Sequence, residues 1–225
     1  MKLSSVRIFL LGSAVFFLFV LFSYLVHKDF FTQFDFDTTV RLQDNIPRRF
    51  DETFSLFSLF GNFELMFISL IVLLLILRKF LGILVPPLFI LFHMIELFGK
   101  VFVEHLPPPH FMLRTHLPFE FPQFYVRQEF SYPSGHSGRT MFVSTMLLLL
   151  VLTSKKIHRG IKAACISGIL FFDFVMLLSR VYLGEHWMTD VIGGALLGTS
   201  LGILSAAILI KGNNVRKEAK SHAKS

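Results

Sequence analysis

Six apolar segments decide what this chain can fold into, at about 6–27, 62–78, 81–103, 134–153, 161–182 and 187–210. A helix needs about 20 apolar residues to cross a hydrocarbon layer ~30 Å thick, and in lipid only helices and closed barrels satisfy every backbone polar group. Each segment is long enough, the one at 62–78 being the shortest. They predict a single all-α domain, a bundle of six transmembrane helices. A content of 53% hydrophobic residues, with 29 phenylalanines, excludes an ordinary soluble domain. Lys2 and Arg7 precede the first segment as in a signal peptide, but the run is long for one and ends at Tyr24 to Lys28 without a small-residue cleavage pattern, so a retained anchor is expected.

The net charge of +7 raises nucleic acid as a partner. The basic residues, however, stand in short clusters between apolar runs and not along one continuous face, which fits membrane orientation instead. If successive spans alternate in direction, Lys2 and Arg7, Arg78 and Lys79, Lys155, Lys156 and Arg159, and Lys211, Arg216, Lys217, Lys220 and Lys224 share one side. That side, with both termini, is then cytoplasmic, and the plasma membrane is the expected location. The opposite side receives 28–61, 104–133 and 183–187. The expected order along residues 1–225 is an anchor at 1–27, an interfacial segment at 28–61, the bundle core at 62–210, and a polar, disordered basic tail at 211–225. The segment at 28–61 mixes Phe30, Phe31, Phe34 and Phe36 with acids and arginines, an amphipathic pattern that suits a connector packed over the bundle better than a substrate gate. Gly194, Gly198 and Gly202 recur every four residues in the last segment and predict close helix packing. Cys165 has no intrachain partner and belongs to the packing.

Two short patterns carry chemistry. Tyr132-Pro133-Ser134-Gly135-His136 stands where the chain enters the fourth span from the outer side. Pro133 suits a first helical turn. Free N–H groups there, that of Gly135 included, point at an anion with the helix dipole behind them, and the Ser134 hydroxyl adds a donor, which makes a seat for phosphate. The second pattern runs from Ser179 and Arg180 to His186 and Asp190. On a helix, His186 and Asp190 are one turn apart, so the carboxylate can fix the imidazole tautomer and sharpen the other nitrogen as a nucleophile. Arg180 can grip a phosphate bidentately. His136 and His186 as zinc ligands are disfavoured, since the surrounding cations suit an anion and no further carboxylate or Cys spacing supports a metal site.

Together these patterns resemble the type 2 phosphatidic acid phosphatase superfamily, which also contains the vanadium haloperoxidases. Its later two motifs, P-S-G-H and S-R-x5-H-x3-D, are unbroken here as Pro133 to His136 and as Ser179, Arg180, His186 and Asp190. Its first motif, K-x6-R-P, is partial: Lys100 is followed after six residues by Pro107 and Pro108. The resemblance covers roughly 54–209 and implies a haloperoxidase-like helical core and a metal-independent, cofactor-free hydrolase of lipid phosphates or diphosphates. Polyprenyl diphosphate, phosphatidic acid and phosphatidylglycerol phosphate are its candidate substrates. It further implies that His186 attacks phosphorus, His136 protonates the departing oxygen, Asp190 orients His186, and Lys100, Ser134, Gly135 and Arg180 stabilise the phosphoryl oxygens. The cation absent at Pro107 must come from Arg114, Arg127 or His105, of which Arg114 is favoured. The alternatives are a lipid phosphotransferase using the same site and a lipid-binding relative without turnover. His93, His105, His110, His116 and His158 are otherwise expected as interface anchors, Trp187 as an interface marker, and Asp173, an acid inside an apolar run, as structural.

Overall fold

The computed structural model describes residues 5–117 and 129–222, from residue 212 onward as backbone only. Among the described residues there are eight α-helices: α1 (Ser5–His27), α2 (Thr32–Asn45), α3 (Asp51–Ser58), α4 (Phe63–Leu77), α5 (Val85–Val103), α6 (Gly135–Thr153), α7 (Arg159–Tyr182) and α8 (Met188–His222). Five stretches are long and apolar enough to cross a membrane: Val6–His27, Phe80–Val103, Gly135–Thr153, Arg159–Tyr182 and Met188–Lys211. The sixth crossing takes another form. At 1.5 Å per residue α4 is only about 22 Å long, short of the hydrocarbon thickness. Joined with the preceding Arg48–Gly61 it makes a pair bent by 51°. The break falls at Asn62, whose backbone is extended (φ −64°, ψ 150°). The protein is an integral membrane helical bundle with five candidate spans, and six where the bent pair counts as one broken crossing.

Burial ranks the helices. Within their apolar windows α8 is 61% and α6 50% buried, against 17% for the first span and 6% for α7. The bundle is therefore built around the α6–α8 pair, while α7 turns Phe171 and Phe174 outward. The seam between α6 and α8 is made of backbone. A Cβ placed on Gly194, Gly198 or Gly202 would lie 2.2 Å from the Ser134 carbonyl oxygen, 2.0 Å from that of Gly138 and 2.6 Å from that of Phe142, respectively. Both helices thus present a position every four residues, and only glycine on α8 permits the approach. Phe89, Phe92, Phe142, Met146 and Leu197 fill the core beside the seam.

The remaining elements are tied to the bundle by side-chain hydrogen bonds. Asp35 of α2 accepts from Thr189 N at 2.8 Å and from Thr189 Oγ1 at 2.6 Å, holding α2 to the start of α8. Gln43 Nε2 donates to the carbonyls of Met112 and Tyr182. Asp173 of α7 turns to α6, where the Ser144 hydroxyl is its hydrogen-bond partner.

Two expectations need correction. Pro133 is not in the first turn of α6: the helix starts at Gly135, and Ser134 caps it by accepting from Ser137 N. A serine side chain satisfies an otherwise orphaned amide, so the cap falls on Ser134 and leaves Pro133 outside. Beyond Lys211 the composition predicts disorder, yet the backbone stays helical to His222. A helix already nucleated by an apolar span extends at little cost through Lys, Glu and Ala.

The seam gives a direct test. Gly198→Ala should destabilise the protein by about 1–3 kcal/mol or more, because the displaced atom is backbone and cannot rotate away. Gly168→Ala on α7 is the control, since a Cβ there meets nothing within 4 Å. Thermal unfolding in detergent should fall for the first and stay level or rise for the second.

Candidate active site

The two sequence patterns meet where α6 and α8 begin. Ser134 N donates to the Asp190 carbonyl at 2.9 Å, a backbone bond joining one pattern to the other. Gly135 and His136 open α6, so their amides belong to the first turn that no intrahelical carbonyl can reach. The Ser134 hydroxyl is occupied within its own turn, accepting from Ser137 N at 3.5 Å and lying 3.1 Å from Ser137 Oγ. Gly135 is walled by Glu96 and Arg139, whose atoms a Cβ would meet at 2.2 and 2.7 Å.

His136 is gripped from two sides. Its Nε2 lies 2.8 Å from Asn62 Oδ1, and its Nδ1 lies 3.5 Å from Arg139 Nη2. Arginine has no acceptor, so Nδ1 is the bare nitrogen and Nε2 carries the proton that Asn62 accepts. Arg139 is itself held by the Gly61 carbonyl, 2.8 Å from Nε, and by Glu96 Oε2, 3.6 Å from Nη1. Glu96 pairs in turn with His93 at 3.0 Å.

The second pattern straddles the turn from α7 into α8. Arg180 is fully buried at the end of α7, and its Nη1 pairs with Glu185 Oε2 at 2.6 Å. Its Nη2 is buried with no hydrogen-bond partner, which inside a protein costs about 1–3 kcal/mol and marks a donor aimed at a ligand. Burial alone would push the Glu185 carboxyl up, but the Arg180 guanidinium beside it and the Thr115 hydroxyl hold it below its ordinary value. Gly184 makes the turn at φ +67°, where a Cβ would also strike the Met112 carbonyl. His186 therefore lies ahead of α8 and not on it, contrary to the one-helix expectation. The pairing with Asp190 survives, because Asp190 sits in the first turn and reaches back: its Oδ2 is 3.4 Å from His186 Nδ1 and accepts from Trp187 N at 2.9 Å. Trp187 donates its indole N–H to the Leu106 carbonyl.

Lys100 is buried in the last turn of α5 and donates to the Ser131 carbonyl at 3.3 Å. His105 departs from its expected place as an interface anchor, since its Nδ1 is 2.8 Å from Asp190 Oδ1. His93 departs too, through Glu96. A buried carboxylate is a stronger attractor for imidazole than the headgroup region. Arg114 directs its guanidinium at the Tyr182 hydroxyl (3.4 Å), the Tyr182 ring and the Ile46 carbonyl (3.5 Å). Arg127 lies outside the described residues. The guanidinium that adjoins His136 is that of Arg139, a residue the sequence reading passed over although it stands one turn from His136. Asn62 gave no local signal.

The charges of Arg180, Arg139, His186 and Lys100 all act on His136, so the two imidazoles and these cations occupy one neighbourhood. Such a cluster, backed by the start of α6, suits a tetrahedral oxyanion with a nucleophile on one side and a proton donor on the other.

A model of the PAP2 superfamily, the type 2 phosphatidic acid phosphatases, matches residues 80–213. The chain is 42% identical over 83 residues to an undecaprenyl-diphosphatase of Sulfolobus acidocaldarius, a stretch that is 36% of this chain and 34% of that one. It is 37% identical over 84 residues to phosphatidylglycerophosphatase B of Haemophilus influenzae, again 36% and 34% of the two chains. A dihydrosphingosine 1-phosphate phosphatase of Saccharomyces cerevisiae is 30% identical over 74 residues, 33% of this chain and 18% of that one. The matched stretch thus spans about a third or less of these curated relatives. Among solved structures, the phosphatidylglycerolphosphate phosphatase of Bacillus subtilis superposes with a TM-score of 0.69 at 19% identity, over 86% of this chain and 93% of that one. Aquifex aeolicus LpxE gives 0.57 at 23%, over 76% and 94%. At those identities the likeness is one of fold, but the family model covers more than half of the chain and takes in Lys100, His136, Arg180, His186 and Asp190, and the chain therefore belongs to the PAP2 superfamily.

Proposed function

We propose that this chain is a membrane lipid phosphatase that hydrolyses a lipid phosphate or diphosphate through a phosphohistidine. The observation that carries this reading is the gathering of two imidazoles, Lys100, Arg139 and Arg180 around one spot, with Arg180 Nη2 buried and unpartnered. Lipid binding alone has no chemical need for a nucleophile, an acid and an orienting carboxylate.

With Nδ1 turned to Asp190, His186 has Nε2 for attack. Its lone pair forms the P–N bond while the P–O bond to the leaving group breaks, and His136, taking part as the imidazolium, gives one proton to the departing oxygen and is left as the neutral imidazole. Water then attacks phosphorus, the P–N bond breaks, and the proton from water returns to His136. Arg180 Nη2, Lys100 and the first-turn amides at Gly135 hold the equatorial oxygens, so positioning and electrostatics supply most of the rate. The Ser134 hydroxyl keeps those amides in place by capping α6. Asn62 presents Oδ1 to His136, and its Nδ2, buried and unpartnered, becomes a further donor to the phosphoryl group. Arg139 supplies positive charge behind His136, while Arg114, tied to Tyr182, secures the segment at 113–117 against α7. The relatives named above act on lipids with a phosphate or diphosphate head, which supports the same class here, polyprenyl diphosphate, phosphatidic acid and phosphatidylglycerol phosphate included. The distribution of Lys and Arg supports cytoplasmic termini and a site at the outer face of the plasma membrane, with the lipid tail entering between helices.

Phosphate release by the purified protein across a panel of lipid phosphates and diphosphates tests the reading. His186→Ala should reduce release to background and abolish acid-labile labelling of the protein by a phosphate-labelled substrate; labelling that persisted would remove His186 as nucleophile. His136→Ala should lower kcat by about 10²–10⁴-fold. Asn62→Ala should cost about tenfold or more in kcat/KM, the loss of one or two hydrogen bonds at a charged site. An unchanged kcat/KM would place Asn62 in the scaffold alone.

A further inference from the structure

We propose that His105 is a positioning residue for His186, acting through Asp190, in place of a cation supplied by the absent motif arginine. The inference rests on the assignment of His186 as nucleophile. Asp190 is fully buried and divides its two oxygens: Oδ1 faces His105 Nδ1 at 2.8 Å, and Oδ2 faces His186 Nδ1 at 3.4 Å and the Trp187 amide at 2.9 Å. A carboxylate held on one oxygen can pivot about its Cβ–Cγ bond. Held on both, it has one orientation, and that orientation decides which nitrogen of His186 stays free.

Behind His105 stands a second carboxylate. Asp35 Oδ2 is 3.9 Å from His105 Nε2, and Asp35 is itself locked by the amide and hydroxyl of Thr189, the residue next to Asp190. The line Asp35, His105, Asp190, His186 thus alternates acid and imidazole across three elements: α2, the segment after α5, and the start of α8. The charged groups that face His105 are Asp190 from α8, Asp35 from α2 and Asp29 from the turn after α1. Burial opposes charge on His105, but the hydrogen bond to Asp190 and these three acids hold its imidazolium above the ordinary value. The backbone of His105 is anchored as well, its carbonyl accepting from both the amide and the hydroxyl of Ser131, whose own carbonyl receives Lys100.

The consequence for pH has a defined sign. A cationic His105 holds Asp190 Oδ1 through a charge-assisted hydrogen bond, a firmer grip than a neutral imidazole gives. Because the folded protein favours the imidazolium, that grip is present at low pH and is lost as pH rises through the raised value. As it weakens, Asp190 is freer to pivot and the orientation of His186 is less well fixed.

The experiment compares wild type, His105→Asn, His105→Ala and His186→Ala as purified full-length protein, reading kcat and KM for phosphate release against pH. His105→Asn places an amide N–H where Nδ1 stood and so keeps the donor without the charge. Its profile should lack the fall in rate that the titration of His105 imposes on wild type as pH rises, while kcat at the optimum falls less than tenfold. His105→Ala loses donor and charge, and kcat should fall further with KM within about threefold, since His105 does not touch substrate. If His105→Ala fails to fold, His105→Asn carries the test alone. Profiles for the His105 variants that overlay wild type, with His186→Ala inactive, overturn the proposal while the function stands. An active His186→Ala overturns the assignment of the nucleophile, and this inference with it.

Discussion

Close backbone contact between α6 and α8 is the constraint on which the rest depends. Asp190, Gly194, Gly198 and Gly202 form one face of α8, and Ser134, Gly138 and Phe142 meet it from α6. Because the three glycines leave no side chain between the helices, the approach is set by backbone atoms that cannot rotate out of the way. At the end of this seam where both helices begin, the Ser134 amide bonds the Asp190 carbonyl. His136 stands two residues after Ser134, and His186 four before Asp190 in the turn that leads into α8. Their meeting is thus a joint result of helix packing and of the turn at Gly184.

The second demand is electrostatic. A bundle in lipid cannot leave charges unpaired, and this one buries Glu96, Lys100, Arg139, Arg180 and Asp190 at the end of its core. Four of them fall into separate pairings, Arg139 with Glu96, Arg180 with Glu185, and Asp190 with two imidazoles, while Lys100 donates to the Ser131 carbonyl. Each pairing spends part of a side chain and keeps part in reserve. Arg180 commits Nη1 and keeps Nη2, and Asn62 commits Oδ1 and keeps Nδ2. In a network built for stability alone such remainders would be a net cost. They make sense as donors whose partner is an anion that comes and goes.

The sequence made the spans and both unbroken motifs legible because each is a local signal: a run of apolar residues, or a few residues at fixed spacing. The repeat of Gly194, Gly198 and Gly202 was legible for the same reason. What it could not convey was the pairing of distant residues. Asn62 reaches His136 only because α4 is too short to cross and the chain breaks there, so a span-length deficit creates a site residue without any motif. His105 reads in the sequence as an interface anchor or as one of three candidates for the absent cation, and nothing in its neighbours names Asp190, which lies 85 positions on. Asp35, inside a segment that read as a connector, bonds a residue 154 positions away. The helical course of the tail was missed for a different reason, since polar composition argues against a core but not against extension of an existing helix.

The departure at Pro107 then takes on a physical meaning. An arginine there would carry a permanent charge, whereas the described residues that gather near His136 and Asp190 divide that role in two. Arg139 brings permanent charge from α6, one turn after His136, where it also fixes the imidazole tautomer. His105 brings conditional charge from the segment after α5, through a carboxylate and not through the phosphate. A site arranged in this way has a total charge that depends on pH, and the dependence enters by way of Asp190, the group on which both the nucleophile and the α6–α8 junction converge.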